Sequence, residues 1–126
     1  MVAKSRFPKG DLSVAACPSR TVLDHVTSRW GALLLVVLQE RTHRFSELRQ
    51  RIDGVSEKML AQSLRVLEDD GFVQRTAFAE VPPRVEYSLT AMGREIAALM
   101  QGLHTWIEGN LPRVLDARAR HARKKA

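Results

Sequence analysis

Residues 44–70 read RFSELRQRIDGVSEKMLAQSLRVLEDD, two short amphipathic helical patterns separated by Asp53-Gly54-Val55. Two such helices joined by a short glycine-containing turn predict a helix-turn-helix. In the second pattern Met59, Leu60, Leu64 and Leu67 recur on one side at helical spacing, the side expected to face a core. Lys58, Ala61, Gln62 and Arg65 share the opposite side. That set has base-reading chemistry: a small residue permits close approach to a groove, Gln can bond adenine edges, and Lys or Arg can reach guanine edges or phosphates. An ordinary solvated helix face carries a similar mixture, so the sequence that follows decides between the two.

Two β-rich runs come next, Gly71 to Phe78 and Arg84 to Leu89, joined by Ala79-Glu80-Val81-Pro82-Pro83. The two prolines remove backbone donors and fix φ, which predicts a stiff connection rather than a continuous strand. A hairpin directly after a reading helix makes a winged helix-turn-helix. Arg75 and Arg84 flank it where a wing would meet phosphates, contacts that set register and give salt-dependent affinity. Upstream, Arg44-Phe45 fits a very short strand pairing with the wing, and Ser46 and Ser56 are placed to cap the two helices, each hydroxyl accepting from an orphan amide. Arg44 and Ser46 join the candidate DNA-binding set with Ser56, Lys58, Gln62, Arg65, Arg75 and Arg84.

Toward the N-terminus, Pro18 suits the first position of a helix and places Cys17 at its N-cap. Val22, Leu23 and Val26 give that helix its apolar side; after a break at Thr27 to Arg29, Trp30 and Leu33 to Leu38 form the most hydrophobic stretch, the expected centre of the core. A final helix is expected from a Thr90 cap to about Gly109, carrying a wide apolar stripe of Ile96, Leu99, Met100, Leu103, Trp106 and Ile107. A domain this small covers only part of such a stripe, so a second subunit is expected to cover the rest. A helix folded wholly onto its own core is the alternative.

The ordered series Cys17-Pro18, Arg29-Trp30, Arg44-Phe45-Ser46-Glu47-Leu48, Ser56-Glu57-Lys58-Met59-Leu60, Leu64-Arg65-Val66-Leu67-Glu68, Asp70-Gly71, Val81-Pro82-Pro83-Arg84-Val85-Glu86-Tyr87 and Leu89-Thr90 resembles the HxlR-type transcription regulators of bacteria over roughly residues 15 to 110. The resemblance implies a dimeric winged-helix regulator, some of whose relatives sense electrophiles or oxidants through a cysteine in the position of Cys17. Thr27-Ser28 departs from the pattern, standing where relatives often show Gly-Gly.

Cys17 is the sole cysteine. A helix N-terminus and Arg20 about one turn away both favour its thiolate and so its reactivity. No intrachain disulfide can form. Oxidation would give a sulfenic acid, a mixed disulfide or a bond to a partner chain. A buried, inert cysteine packing as a small hydrophobe is the competing reading.

The fold expected is mainly α with a small β-hairpin (α+β): residues 1–14 an N-terminal arm, 15–111 the winged domain with its dimerisation helix, and 112–126 a basic tail without regular structure. The formal net charge of +6 resides at the ends. The segment 113–126 carries +5 and residues 1–17 carry +2, leaving the body at −1, so overall basicity says little about the body. No apolar run reaches transmembrane length and no signal peptide is recognised, giving an expected cytoplasmic location. His25, His43, His104 and His121 lack metal-motif spacing and read as surface or partly buried side chains. No Gly-rich phosphate loop is present, and Ser-His-Asp or Cys-His chemistry, whose partners meet only in the fold, has no positive support in the spacing; neither an enzyme nor a cofactor is expected. The expected partners are double-stranded DNA with a pseudo-palindromic operator and a second copy of the chain, with no membrane. Repression fits a chain with no separate domain for contacting polymerase. A winged helix that docks protein, or one gated by a small ligand, is the alternative.

Overall fold

Helix α2 (Arg29–Leu38) is the post around which the other elements are set, with Leu34, Leu35, Val37 and Leu38 buried. In this computed structural model, which describes residues 10–125, the order is α1 (Pro18–Thr27), α2, β1 (His43–Arg44), α3 (Phe45–Arg51), α4 (Glu57–Asp69), β2 (Val73–Phe78), β3 (Arg84–Leu89) and α5 (Ala91–Lys125). Helix α2 touches α1, α3, α4, α5 and β3. The N-terminal arm is described only from Gly10 onward. A three-stranded antiparallel sheet has the order β1-β3-β2, with Arg75 opposite Tyr87 and Arg44 opposite Glu86. This is the mainly α winged helix-turn-helix expected.

The first two helices bend by 69° at Ser28. Its extended backbone breaks α1, and its Oγ accepts from Gly31 N–H, starting α2. Thr27-Ser28 therefore makes the bend with a capping hydroxyl. No single described helix is long and apolar enough to cross a membrane. The helix-turn-helix turn passes through Gly54 at φ +85°, a conformation that strains residues bearing a Cβ. Ser56 caps α4 as expected, accepting from Met59 N–H at 3.1 Å. At the other end Gly71 N–H bonds Glu68 O and Phe72 N–H bonds Leu67 O, a Schellman closure that turns the chain into β2.

Several local expectations need correction. Helix α3 begins one residue before Ser46: Arg44 is the N-cap, and Glu47 Oε1 accepts its backbone N–H at 2.8 Å. Ser46 is therefore inside the helix. The short strand is His43–Arg44 rather than Arg44–Phe45. His43 is no surface group: it is 1% exposed, its Nδ1–H donating to Arg41 O at 2.8 Å. Met59 stands apart from the buried Leu60, Leu64 and Leu67 and is exposed.

Thr90 caps α5, its Oγ1 accepting from Gly93 N–H and donating to Gly71 O. The helix continues past Gly109 through Pro112 to Lys125, so residues 112–125 are helical where an irregular tail was expected. An interior proline removes its own N–H from the ladder and crowds the carbonyl four residues back, at about 3 kcal/mol, yet α5 runs on through it. On the far side Arg120 pairs with Asp116 one turn back, and basic residues occupy the last turn, where the helix dipole favours them.

Near its start α5 packs backbone to backbone: a Cβ on Gly93 would lie 1.9 Å from Phe72 O. Gly93→Ala is expected to cost about 1–3 kcal/mol of overpacking in urea denaturation. Gly109→Ala, where nothing lies within 4 Å, should instead stabilise by up to about 1 kcal/mol through helix propensity. Equal responses would contradict the close approach.

Candidate nucleic-acid interface

Helix α4 is oriented by burial. Leu60 and Leu67 are fully enclosed and Leu64 nearly so; because all three lie on one arc of the helix, Lys58, Gln62 and Arg65 must face out, and each is exposed. Large-to-small changes in such leucines cost about 2–5 kcal/mol, so the orientation is strongly held. The exposed arc has two borders. On the wing side Ala61, Arg65 and Glu68 share a crevice with Arg75 and Tyr87. On the other side Met59, Gln62, Ser63 and Val66 line a crevice with Asp24, His25, Trp30 and Gly31.

Ion pairing sorts the cations of this region into two groups. Arg41 pairs with Glu47 at 3.3 Å, Arg49 with Glu57 at 3.1 Å and Arg51 with Glu40 at 2.6 Å. These exposed pairs contribute little stability each, but they cancel charge and brace α3 against its neighbours. Arg51 beside Glu40 holds that carboxyl below its usual range, and the Arg44 amide does the same for Glu47. Arg44, Lys58, Arg65 and Arg75 are exposed and have no carboxylate within ion-pair distance among the described residues. Four of the expected DNA contacts are thus free cations.

Arg84 differs. It reaches Glu80 Oε1 at 3.2 Å and Glu86 Oε1 at 3.4 Å, and its guanidinium lies 4.2 Å from the Phe78 ring centroid. Its Nε is enclosed without a hydrogen-bond partner. Opposite Phe78 at the end of the strands, Arg84 ties the wing tip together instead of presenting free charge. Strand alternation also separates the set: Arg44, Glu86 and Arg84 fall on one face of the sheet, Arg75 and Tyr87 on the other. Ser56 spends its oxygen on the helix cap. Ser46 lies beside Arg49 and Glu57 in the cleft between α3 and α4.

Two further features have no counterpart in the sequence pattern. His25 in α1 meets Asp70, the C-cap of α4, at 2.5 Å, joining the first helix to the reading helix. The α5 stripe divides: Ile96 and Met100 pack on the core, whereas Leu99, Leu103, Trp106 and Ile107 are 68%, 52%, 56% and 43% exposed. Leu111 and Leu115 extend that exposed set. They fall outside the expected stripe because Gly109 and Pro112 read as a helix end.

Residues 25–114 match the family model described as HxlR-like helix-turn-helix. The HTH-type transcriptional regulator YtfH of Escherichia coli (strain K12) is 59% identical over 117 residues, 93% of each chain. The solved structure of the transcriptional regulator ytfH from Salmonella typhimurium is similar with TM-score 0.84 at 57% identity, covering 88% of this chain and 99% of that one. The redox regulator HypR in its oxidized form is similar with TM-score 0.69 at 36% identity, covering 75% of this chain and 97% of that one.

The pairing pattern separates two arginines by experiment. Arg65→Ala should lower affinity for a specific duplex by about 1–3 kcal/mol and relax sequence preference. Arg84→Ala should loosen the wing and leave the salt slope of binding near the wild-type value. Anisotropy titrations over a salt series measure both, and a slope reduced by Arg84→Ala would show that its charge is free after all.

Proposed function

The chain belongs to the HxlR-like helix-turn-helix family of transcriptional regulators, a non-enzymatic family, and on that premise we propose that it is a homodimeric, sequence-specific repressor whose DNA affinity is set by the state of Cys17. The observation that carries the DNA half is the outward arc of α4, with Lys58, Gln62 and Arg65 exposed and no carboxylate neutralising Lys58 or Arg65 among the described residues. In this reading Lys58, Gln62 and Arg65 enter the major groove, with Ser46 and Ser56 near its edge. Arg44 and Arg75 hold phosphates, and Arg84 keeps the wing in shape. The exposed side of α5, through Leu99, Leu103, Trp106 and Ile107, meets a second subunit next to Ile96 and Met100. Two reading helices then sit about 34 Å apart, one turn of DNA, and the operator is pseudo-palindromic.

The thiol half rests on local chemistry. Cys17 sits half-buried at the N-cap of α1. The amide of Asp11 directed at the sulfur lowers its pKa below the ordinary thiol value; partial burial opposes this, and the amides of Ser19 and Arg20 add to it. A lowered pKa increases the thiolate fraction at neutral pH. Cys17 and His25 are eight residues apart, about 12 Å along α1, and His25 grips Asp70 at the end of α4. Displacing the start of α1 therefore pulls on the reading helix, the kind of small rigid-body shift that misplaces half-sites. The similar HypR is a redox regulator, which motivates the same reading here.

Diamide takes two electrons and two protons from two thiols, leaving Cys17 disulfide-bonded to a small thiol or to Cys17 of a second subunit. Wild type should lose specific binding with diamide and regain it with reductant, and Cys17→Ser should be indifferent. A Cys17→Ser protein that still responds sinks the thiol switch and leaves the DNA reading intact. Leu103→Glu should convert dimer to monomer in sedimentation and weaken operator binding at least tenfold; an unchanged dimer would place the interface elsewhere.

A further inference from the structure

B-DNA has a major groove about 12 Å wide, and an α-helix with its side chains is about 10–12 Å across. A helix seated there has a phosphate strand along each flank. Arg75 stands on one flank of α4, beside Ala61 and Arg65. On the other flank, Met59, Gln62 and Ser63 face Trp30 and Gly31 at the start of α2, and the residue preceding Trp30 is Arg29.

Resting on the DNA-binding reading above, we infer that Arg29 is a phosphate-contacting residue for the strand opposite the one held by Arg75, so that one arginine clamps each flank of the reading helix. Arg29 is exposed and has no carboxylate within ion-pair distance among the described residues. Asp24 pairs with Arg20 at 3.6 Å and Asp70 with His25 at 2.5 Å. The Arg29 guanidinium lies 5.6 Å from the Trp30 ring centroid, a cation–π contact that leaves its N–H donors unspent. Trp30 is itself fixed against the helix-turn-helix, its ring 3.8 Å from where a Cβ on Gly54 would stand. The Arg29 guanidinium therefore lies next to the ring that borders this side of α4.

Its place in α2 is unfavourable for the helix dipole. Arg29 is the first residue of the helix, and the first turn contains no acid. A cation at that end opposes the helix dipole, and an anion bound there removes the conflict. In the sequence Arg29-Trp30 stands out only as part of the family resemblance, since a single arginine at a helix start carries no periodic signal.

The test is operator binding by Arg29→Gln, Arg29→Lys and Arg75→Gln across a salt series, using DNA upstream of the protein's own gene and a scrambled duplex. Arg29→Gln should weaken binding to both duplexes by the same factor and reduce the log–log salt slope by about 0.9 for each phosphate no longer neutralised, or about two for a dimer. Arg29→Lys should keep the slope, and thermal denaturation should be unchanged in both. Neutral methylphosphonate linkages on one strand should erase the Arg29→Gln effect and spare that of Arg75→Gln, with the reverse on the other strand. Unchanged slope for Arg29→Gln in a wild-type protein that binds, or one strand silencing both arginines, overturns the clamp alone. Absence of any specific binding by wild type overturns the DNA reading and the clamp with it.

Discussion

Burial of Leu60, Leu64 and Leu67 against the apolar post of α2 is the constraint that holds every other element in place. These three side chains are at most 2% exposed. Rotating α4 to present a different arc would bring them into water at roughly 1.5–3 kcal/mol each and place Lys58 or Arg65 in the core at greater cost. The outward face of α4 is therefore a consequence of packing on its opposite side. The same burial fixes both borders of α4, because the wing enters through the Schellman closure at Gly71 and α2 supplies Trp30 on the other side.

Charge is organised on top of that packing. The body carries a formal −1, so its affinity for a polyanion cannot come from overall field. It comes from arrangement: glutamates consume Arg41, Arg49, Arg51 and Arg84 within the scaffold, and Lys58, Arg65 and Arg75 are left over on and beside the outward arc of α4. The paired arginines brace α3 and the wing, and the unpaired ones present hydrogen-bond donors to a partner. The basic end of α5 lies outside this division. Its charge is held in a helix that also carries the exposed Leu111 and Leu115, so the position of the cationic end is tied to that apolar surface.

Much of the fold is legible because its signals are local. The helix-turn-helix follows from leucine periodicity, the wing from two β-rich runs around Pro82-Pro83, and the α4 and α5 caps from Ser56 and Thr90. Local rules fail where two signals compete. Ser46 has cap chemistry, yet strand pairing of His43–Arg44 with β3 moves the helix start to Phe45 and gives the capping role to Glu47. Pro112 reads as a stop, yet α5 continues through it to Lys125. Residue pairs distant in sequence leave no signal at all: His25 and Asp70 are 45 positions apart, and the enclosure of His43 depends on the sheet. Of the candidate site, the outward arc of α4 is readable from spacing. Which cations are free is not, because Arg84 and Arg75 look equivalent until their neighbours are known.

If the outward arc of α4 reads sequence while the unpaired arginines bind phosphate, one titration separates that arrangement from its rivals. Binding of the reduced wild-type protein to the DNA upstream of its own gene is followed by fluorescence anisotropy with nonspecific competitor as salt is raised. The expected result is saturation at two protomers per site, preference over a scrambled duplex, and a steep negative log–log salt dependence. Equal affinity for both duplexes, or a slope near zero, would contradict it.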